Sequence, residues 1–409
     1  MNQYKVSRLS DGKKNDGLIK KNKKKTGQVL TAGRIILLTF LSLIFLFFLA
    51  INIFLYVYKP APKPVDFLIN HPDYIDEFPV ATGEDGEEMP VHQDMSKNWN
   101  SDCYTFLILA MNDYEGTTDV MMLAMFNVKE NKLSILNIPR DTYINMGNYK
   151  GLINGVYSKG RVNARNNGIP REDTPTEGLK YLCAIIKYTF GVDIQYYALM
   201  NIEGFTVLVD KVGGVDYDVP FRMKYTDPYQ NLYIDLQPGL QPLNGDKAAQ
   251  LLRFRHGDDG YPGYGRTING VFYPSEDIGR IQTQQRFIAA LMKKMLGKLS
   301  INTINGLFEV GANYMTTNIS LADAGWFATK LSSVKLENIR THTVPNQWIS
   351  SIGKLEIYKE ETMEIINKYY NPYKKDIPES NFNIYDKDLG SLPKPEINID
   401  GETMNNLTH

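Results

Sequence analysis

Two stretches concentrate permanent positive charge beside apolar residues: Leu251-Leu-Arg-Phe-Arg255 and Asp277-Ile-Gly-Arg-Ile-Gln-Thr-Gln-Gln-Arg286. Upstream, Ile138-Pro-Arg-Asp-Thr-Tyr143 adds another arginine. A guanidinium is a planar fork that stays charged at any working pH and matches phosphate oxygens. Arg140, Arg253, Arg255 and Arg280 are therefore candidates for gripping a phosphate or pyrophosphate. In an extended chain Arg253 and Arg255 share one face while Phe254 turns inward. Like charges so placed favour an anion between them. The pair also fits a solvated helix end, where cations meet the helix dipole favourably. Arg280 lies three residues after Asp277 and four before Gln284, so one helical face carries all three. Free N–H groups near a helix start attract anions as well.

The acids complement these cations. Asn112-Asp-Tyr-Glu-Gly-Thr-Thr-Asp119 joins two apolar runs, and strand ends are where loops bring functional side chains together. Asp113 and Asp119 could jointly hold Mg²⁺, a hard ion that takes one or two carboxylates plus phosphate oxygens. The same acids suit an ordinary hairpin loop, and alone the motif favours that reading. Arg140 and Asp141 alone read equally well as a surface ion pair of little energetic weight. Taken together, the acids and arginines point to a metal-assisted reaction at a phosphate ester or anhydride.

The elements that must position these groups are legible in outline. Tyr104–Ala110 and Val120–Val128 are apolar runs of strand length, and Lys132–Ile138 alternates before Pro139 stops the pairing. Near-continuous hydrophobicity in the first two predicts a sheet covered on both faces. Thr174-Pro-Thr-Glu177 predicts a helix start with Thr174 as cap and Glu177 as its reciprocal partner, the helix running to about Phe190. Tyr196–Asn201 and Val215–Val219 read as strands, and Glu203–Val212 reads as a helix. A further helix is capped by Asn244 and runs through Leu252, and a long one follows from Asp277 to about Leu299. Mixed strands and helices in this order predict an α/β fold, a mixed central sheet flanked by helices.

The flanks set the compartment. Residues 1–34 are rich in Lys and Arg, including Lys20-Lys-Asn-Lys-Lys-Lys25, with Asp11 and Asp16 as the acids. Ile35 to Tyr58 carries no charge, and as a helix it would reach ~36 Å, enough for a ~30 Å hydrocarbon core. The run is too long for a cleaved signal peptide, and no small-residue cleavage site follows it. The expectation is a single-pass anchor at 35–58, with the basic tail 1–34 cytoplasmic and everything after Lys59 outside the cell membrane. Residues 59–100, rich in Pro and acids, read as a stalk; 101–371 as the folded catalytic region; and 372–409 as a polar, flexible tail. With a net charge of −1 the 409-residue chain carries no nucleic-acid signature. Cys103 and Cys183 read as buried free thiols, and five scattered histidines show no zinc spacing.

In order and spacing, these motifs resemble the LytR-CpsA-Psr family of Gram-positive bacteria, over about residues 101–300 plus the anchor. The matching pieces are Leu107-Ile-Leu-Ala-Met-Asn-Asp113, Asp119-Val-Met-Met, Ile138-Pro-Arg-Asp-Thr-Tyr, Ile153-Asn-Gly-Val-Tyr157, Glu203-Gly-Phe, Val212-Gly-Gly-Val-Asp216, Leu236-Gln-Pro-Gly-Leu-Gln-Pro-Leu-Asn-Gly245, Arg253-Phe-Arg-His and Asp277-Ile-Gly-Arg-Ile-Gln-Thr-Gln-Gln285. The resemblance implies a phosphotransferase that attaches teichoic acid or capsular polysaccharide to peptidoglycan. Its donor would be a polyprenyl-pyrophosphate-linked glycan, its acceptor a peptidoglycan sugar hydroxyl, and its cofactor Mg²⁺, with Mn²⁺ as the alternative. Carried over, Asp113 and Asp119 are the metal-side acids, and Arg140, Arg253, Arg255, Arg280 and Gln284 form the pyrophosphate clamp. Asp113 or Asp141 takes the hydroxyl proton, and an apolar pocket holds the prenyl chain. Three positions depart from the family pattern: Thr117, Leu152 and Thr283 stand where many members carry a basic residue. Lys150 and Arg266 are the candidate substitutes. Competing readings are a lipid-pyrophosphate hydrolase, with water replacing the sugar, and a non-catalytic wall-binding or regulatory protein.

Overall fold

The first three apolar runs form an antiparallel meander, β1 (Cys103–Asn112), β2 (Thr117–Asn127) and β3 (Lys132–Asn137). The structure, a computed structural model, describes residues 61, 62 and 92–404, except 113–115, 147, 148, 259, 262, 269, 270, 274, 275, 298–300, 351, 352, 388 and 390–393. Side chains at 112, 146, 230, 271, 272, 276–278, 281, 296, 297, 301–305, 307 and 308 also lie outside the description. The tail 1–34, the span 35–58, most of the stalk and Asp113 thus fall outside the described residues. Among those described, no helix is long and apolar enough to cross a membrane.

After β3 come the hairpin β4 (Tyr143–Met146) and β5 (Tyr149–Leu152), helices α1 (Val156–Asn166) and α2 (Thr174–Phe190), then β6 (Tyr196–Asn201) and α3 (Ile202–Lys211). Next are β7 (Val215–Val219), the hairpin β8 (Met223–Asp227) and β9 (Leu232–Leu236), β10 (Gly239–Leu243) and α4 (Gly245–Arg253). The hairpin β11 (Arg266–Ile268) and β12 (Val271–Tyr273) leads into α5 (Glu276–Gly297), α6 (Ile301–Tyr314) and β13 (Met315–Thr317). The chain ends with α7 (Leu321–Leu331), β14 (Ile339–Thr343), the hairpin β15 (Asn346–Ile349) and β16 (Lys354–Ile357), α8 (Lys359–Tyr369) and β17 (Glu402–Thr403). The central sheet has the order β13-β6-β1-β2-β3-β14-β17. It is mixed: β6 runs parallel to β1 and β14 parallel to β3.

Alternation along β2 shows why its sequence is apolar throughout. Met121, Leu123 and Met125 face one core with α2, while Met122, Ala124 and Phe126 face another with α7. Both faces are covered, so each pleat position buries apolar surface, and a fully buried leucine such as Leu123 contributes roughly 1.5–3 kcal/mol. A third core, built on Val215, Tyr217, Leu251, Phe254 and Phe287, packs α4 and α5 with β7.

Three expectations need correction. Thr174-Pro-Thr-Glu177 opens α2 without a capping box. Helical bonding starts one residue earlier, with Glu177 N–H donating to Asp173 O at 3.3 Å. The Thr174 hydroxyl donates to Arg171 O at 2.9 Å, and Glu177 pairs with Lys180 at 2.8 Å. Much of the tail after 371 is packed against the fold: among its described residues Tyr373, Ile377, Phe382 and Met404 are all buried. The Tyr373 hydroxyl donates to Asp193 Oδ2 at 2.7 Å, and β17 pairs with β14. The stalk, too, ends before 100. Met95 is buried, and the Asn381 amide binds both Gln93 N–H (2.8 Å) and Gln93 O (2.9 Å). Helix α2 stops at Gly191, whose φ of 70° and closeness to Ile377, 2.5 Å from an added Cβ, exclude other residues. Cys103 and Cys183 are free and buried, and burial pushes the Cys103 thiol up to about 11.

Candidate functional site

At the end of β3 the chain leaves the sheet through Ile138-Pro139 and turns, with Thr142 N–H donating to Pro139 O at 3.1 Å. Three backbone bonds pin the next residues in place. Arg140 O accepts from Asn154 N–H (3.2 Å), Asp141 O from Leu355 N–H (3.0 Å) and Thr142 O from Ile153 N–H (2.8 Å). The Ile153-Asn-Gly-Val-Tyr157 motif is thus a brace for the arginine. Its apolar members Ile153, Val156 and Tyr157 are buried beneath it.

Braced in this way, Arg140 meets the acid that β2 carries at its start. Arg140 Nη1 lies 2.6 Å from Asp119 Oδ1, and Arg140 Nε lies 3.6 Å from Asp141 Oδ1. The Arg140 side chain is 16% exposed and that of Asp119 25%, so the pair is partly shielded yet reachable. Helix α5 supplies the facing wall. Arg280, 4% exposed, and Gln284 sit one turn apart and line the same cleft as Asp119 and Arg140. Gln284 Nε2 donates to Leu252 O at 2.9 Å, and Gln285 Nε2 donates to Thr343 Oγ1 at 2.7 Å. These two bonds tie α5 to α4 and to β14. The cleft between them measures about 50 Å³. Val120, Met122, Leu252 and Ile288 give it an apolar side.

The other predicted residues are placed differently. Arg253 ends α4, directly after the cleft residue Leu252, and both Arg253 and Arg255 are half-buried. Phe254 between them is fully buried against Phe221 and Tyr264. Arg253 nonetheless belongs to the helix, and Arg255 alone lies beyond it in extended chain. Thr283 is buried and accepts from the Tyr264 hydroxyl at 3.1 Å, a packing role that a basic residue could not fill. Neither proposed substitute lines the cleft. Lys150 is exposed in the β4–β5 hairpin, and the Arg266 guanidinium lies over the Phe221 ring at 5.8 Å. Asn137, Gln285 and Thr343 line the cleft but were not singled out from sequence. Asn137 lies one residue before the end of the strand expected at Lys132–Ile138, which is the one signal that pointed to it.

Seen from the sheet, the cleft lies at the C-terminal ends of the parallel pair β3 and β14, a position that open sheets commonly use for ligands. Its chemistry is two guanidiniums, one carboxylate and amide groups around a small apolar-sided space. That set can hold a phosphate oxygen cluster next to a lipid-like substituent.

Relatives agree with this architecture. An uncharacterized protein of Staphylococcus aureus strain NCTC 8325 is 25% identical over 296 residues, covering 68% of this chain and 63% of that protein. Regulatory protein MsrR of S. aureus strain Mu50 is 25% identical over 265 residues, 63% of this chain and 69% of its own length. Among solved structures, protein gbs0355 of Streptococcus agalactiae shares the fold with a TM-score of 0.54 at 19% identity, covering 71% of this chain and 95% of that one. The LytR_cpsA_psr family model matches residues 81–379, from before β1, through the cleft and past α8. The chain belongs to the LytR-CpsA-Psr family.

Proposed function

We propose that this protein is a membrane-anchored, extracellular phosphotransferase. It attaches a polyprenyl-pyrophosphate-linked glycopolymer, of teichoic acid or capsular polysaccharide type, to peptidoglycan. The carrying observation is the convergence of Arg140, Arg280 and Asp119 on one cleft with an apolar side. Family membership supports the polymer class, and the uncharged run 35–58 behind a basic tail supports the anchor.

In this reading Arg140 and Arg280 grip the pyrophosphate, with Arg253 and Arg255 beside them, and the apolar side of the cleft receives the first part of the prenyl chain. The acceptor hydroxyl oxygen bonds to the phosphorus that bears the glycan. The bridging P–O bond breaks, and its electron pair leaves with the prenyl phosphate. The hydroxyl proton passes to a carboxylate, Asp141 or Asp113. The guanidiniums stabilise the charge that builds on the leaving phosphate.

The donor set fits a hard cation. Arg140 holds one oxygen of Asp119, which leaves the other for Mg²⁺ or Mn²⁺, and Asp113 would share the ion. Among the described residues no three His, Cys, Asp or Glu gather to hold a metal, so substrate phosphates would complete the shell. Once bound, the ion would neutralise phosphate charge as a Lewis acid.

The test uses the full-length protein in detergent, a radiolabelled polyprenyl-pyrophosphate glycan, peptidoglycan fragments and Mg²⁺. Label joined to peptidoglycan, and lost with EDTA or Arg140→Ala, is the expected result. Release of free glycan phosphate would support a hydrolase instead, and an intact donor across several glycans would support a binding role.

A further inference from the structure

Behind the arginine cleft lies a second cavity of about 340 Å³. The two spaces share Gln285 and Thr343, and the 2.7 Å hydrogen bond between those residues is their partition. One wall of the second cavity comes from α5, through Gln282 and Arg286. Another comes from Thr341 to Asn346 at the end of β14, and the third is the segment 395–402. That last segment lies beyond the part of the chain that the family model covers.

The segment is firmly held. β17 pairs with β14, and His342 Nε2 contacts Ile399 O at 3.1 Å. Asn398 Oδ1 accepts from Asp400 N–H at 3.1 Å, and its Nδ2 donates to Gly401 O at 3.1 Å. At Gly401, φ is 63°, and an added Cβ would lie 2.5 Å from Thr341 O and from the His342 ring. The wall is therefore pressed directly onto the sheet edge.

Its chemistry differs from that of the arginine cleft. Gln282, Gln285, Asn346, Asn398, Thr341 and Thr343 offer amides and hydroxyls, which both donate and accept. The one arginine, Arg286, donates to the Tyr273 hydroxyl at 3.1 Å and lies over its ring, and Glu396 and Glu402 leave the lining with a single net negative charge. The buried Oε1 of Gln282 accepts no hydrogen bond among the described residues. A cavity of this size, rich in groups that donate and accept and carrying little net charge, suits a neutral polyhydroxylated ligand.

We propose that this cavity is the acceptor subsite. It binds a sugar of the acceptor glycan, with Gln282 on the α5 wall among the polar side chains that meet the ligand's hydroxyls. Opening the Gln285–Thr343 partition then brings a second sugar hydroxyl to the phosphorus in the arginine cleft. The segment 395–402 is on this account the part of the chain that selects the acceptor. The inference rests on the transferase reading for its purpose, but the binding it asserts can be measured separately.

The probe is the N-acetylglucosamine–N-acetylmuramic acid disaccharide, titrated calorimetrically into the full-length protein. The wild type should bind it, and Gln282→Leu and Asn398→Ala should each weaken binding about tenfold, the loss of roughly one hydrogen bond. In the transfer assay both variants should raise KM for the acceptor and leave kcat near wild type. Arg280→Met should weaken donor binding and leave disaccharide binding intact. Asn398 also shapes its own turn, so Gln282→Leu, on a helix, guards against a folding artefact. No binding to wild type, or binding unchanged in both variants, overturns the subsite. Binding that falls as expected, in a protein that transfers nothing, would keep the subsite and remove the transferase reading.

Discussion

Arg140 Nη1 lies 2.6 Å from Asp119 Oδ1, so a cation carried past the end of β3 is held by the acid that opens β2. The pair fixes the guanidinium while leaving its side chain reachable. Removing it should cost transfer far more than folding. Arg140→Ala is expected to lower kcat about 10²–10³-fold, the range seen when one preorganised charge-stabilising donor is lost. Arg140→Lys should rescue little, because an ammonium cannot address Asp119, Asp141 and a phosphate as a planar fork does. Steady-state kinetics, with thermal unfolding as the control, check both. Wild-type kcat in Arg140→Ala would remove Arg140 from the mechanism.

Asp119 should set the metal requirement. With Asp119→Asn, the Mg²⁺ concentration for half-maximal transfer should rise about tenfold or more, since a hard cation prefers an anionic oxygen. Activity titrated against Mg²⁺ gives this directly, and an unchanged midpoint would place the ion elsewhere.

The C-terminal segment should behave as core. Tyr373→Phe removes the hydroxyl bonded to the Asp193 carboxylate and should cost roughly 1.5–3 kcal/mol, the range for a hydrogen bond to a charged group. Truncation after residue 371 also removes the buried Ile377, Phe382 and Met404 and should abolish cooperative unfolding. Urea denaturation of both chains is the measurement. A truncated chain with a wild-type midpoint would contradict the packing.

Acid should destabilise the fold through two histidines. Burial lowers both His92 and His342 from 6.5 to about 4. Ile399 O can only accept, so neutral His342 carries its proton on Nε2, and Nδ1 accepts from the Tyr370 hydroxyl at 2.8 Å. Between these pH values the unfolded chain binds more protons than the folded one. The stability gained from neutral rings is therefore complete above about pH 6.5 and drains as pH falls towards 4. The loss approaches roughly 3 kcal/mol for His342, less for the half-buried His92. Unfolding midpoints from pH 8 to 4 should show the decline, and His342→Gln should flatten part of it.

Much of the scaffold could be read from local pattern. β1 and β2 are long apolar runs, and α3 and α4 carry asparagine caps whose side chains accept from Gly204 N–H (2.9 Å) and Lys247 N–H (3.0 Å). The placing of Arg280 and Gln284 on one face of α5 followed from helical spacing alone. What stayed hidden depends on distant partners. β14, Ile-Arg-Thr-His-Thr, has neither a clean alternation nor an apolar run, and becomes a strand because β3 offers it an edge. Thr343 enters the cleft for the same reason. The tail after 371 looked loose because its apolar residues are sparse and aperiodic, and Tyr373, Ile377, Phe382 and Met404 find separate slots instead of forming a face. The capping box at Thr174 failed because Asp173 took over the start of the helix.

One pairing has a temporal meaning. The Asn137 side chain donates to Thr341 Oγ1 across a sequence separation of 204 residues, where β14 lies against β3. A chain made from its N-terminus can assemble Asp119 and Arg140 early, yet it lacks Thr343 until the long intervening stretch has been made. Until then β3 presents an open edge that any other strand can pair with. Closing so long a loop is slow, and species waiting for it are prone to association. The step that completes the site also ends the nascent chain's exposure to its neighbours.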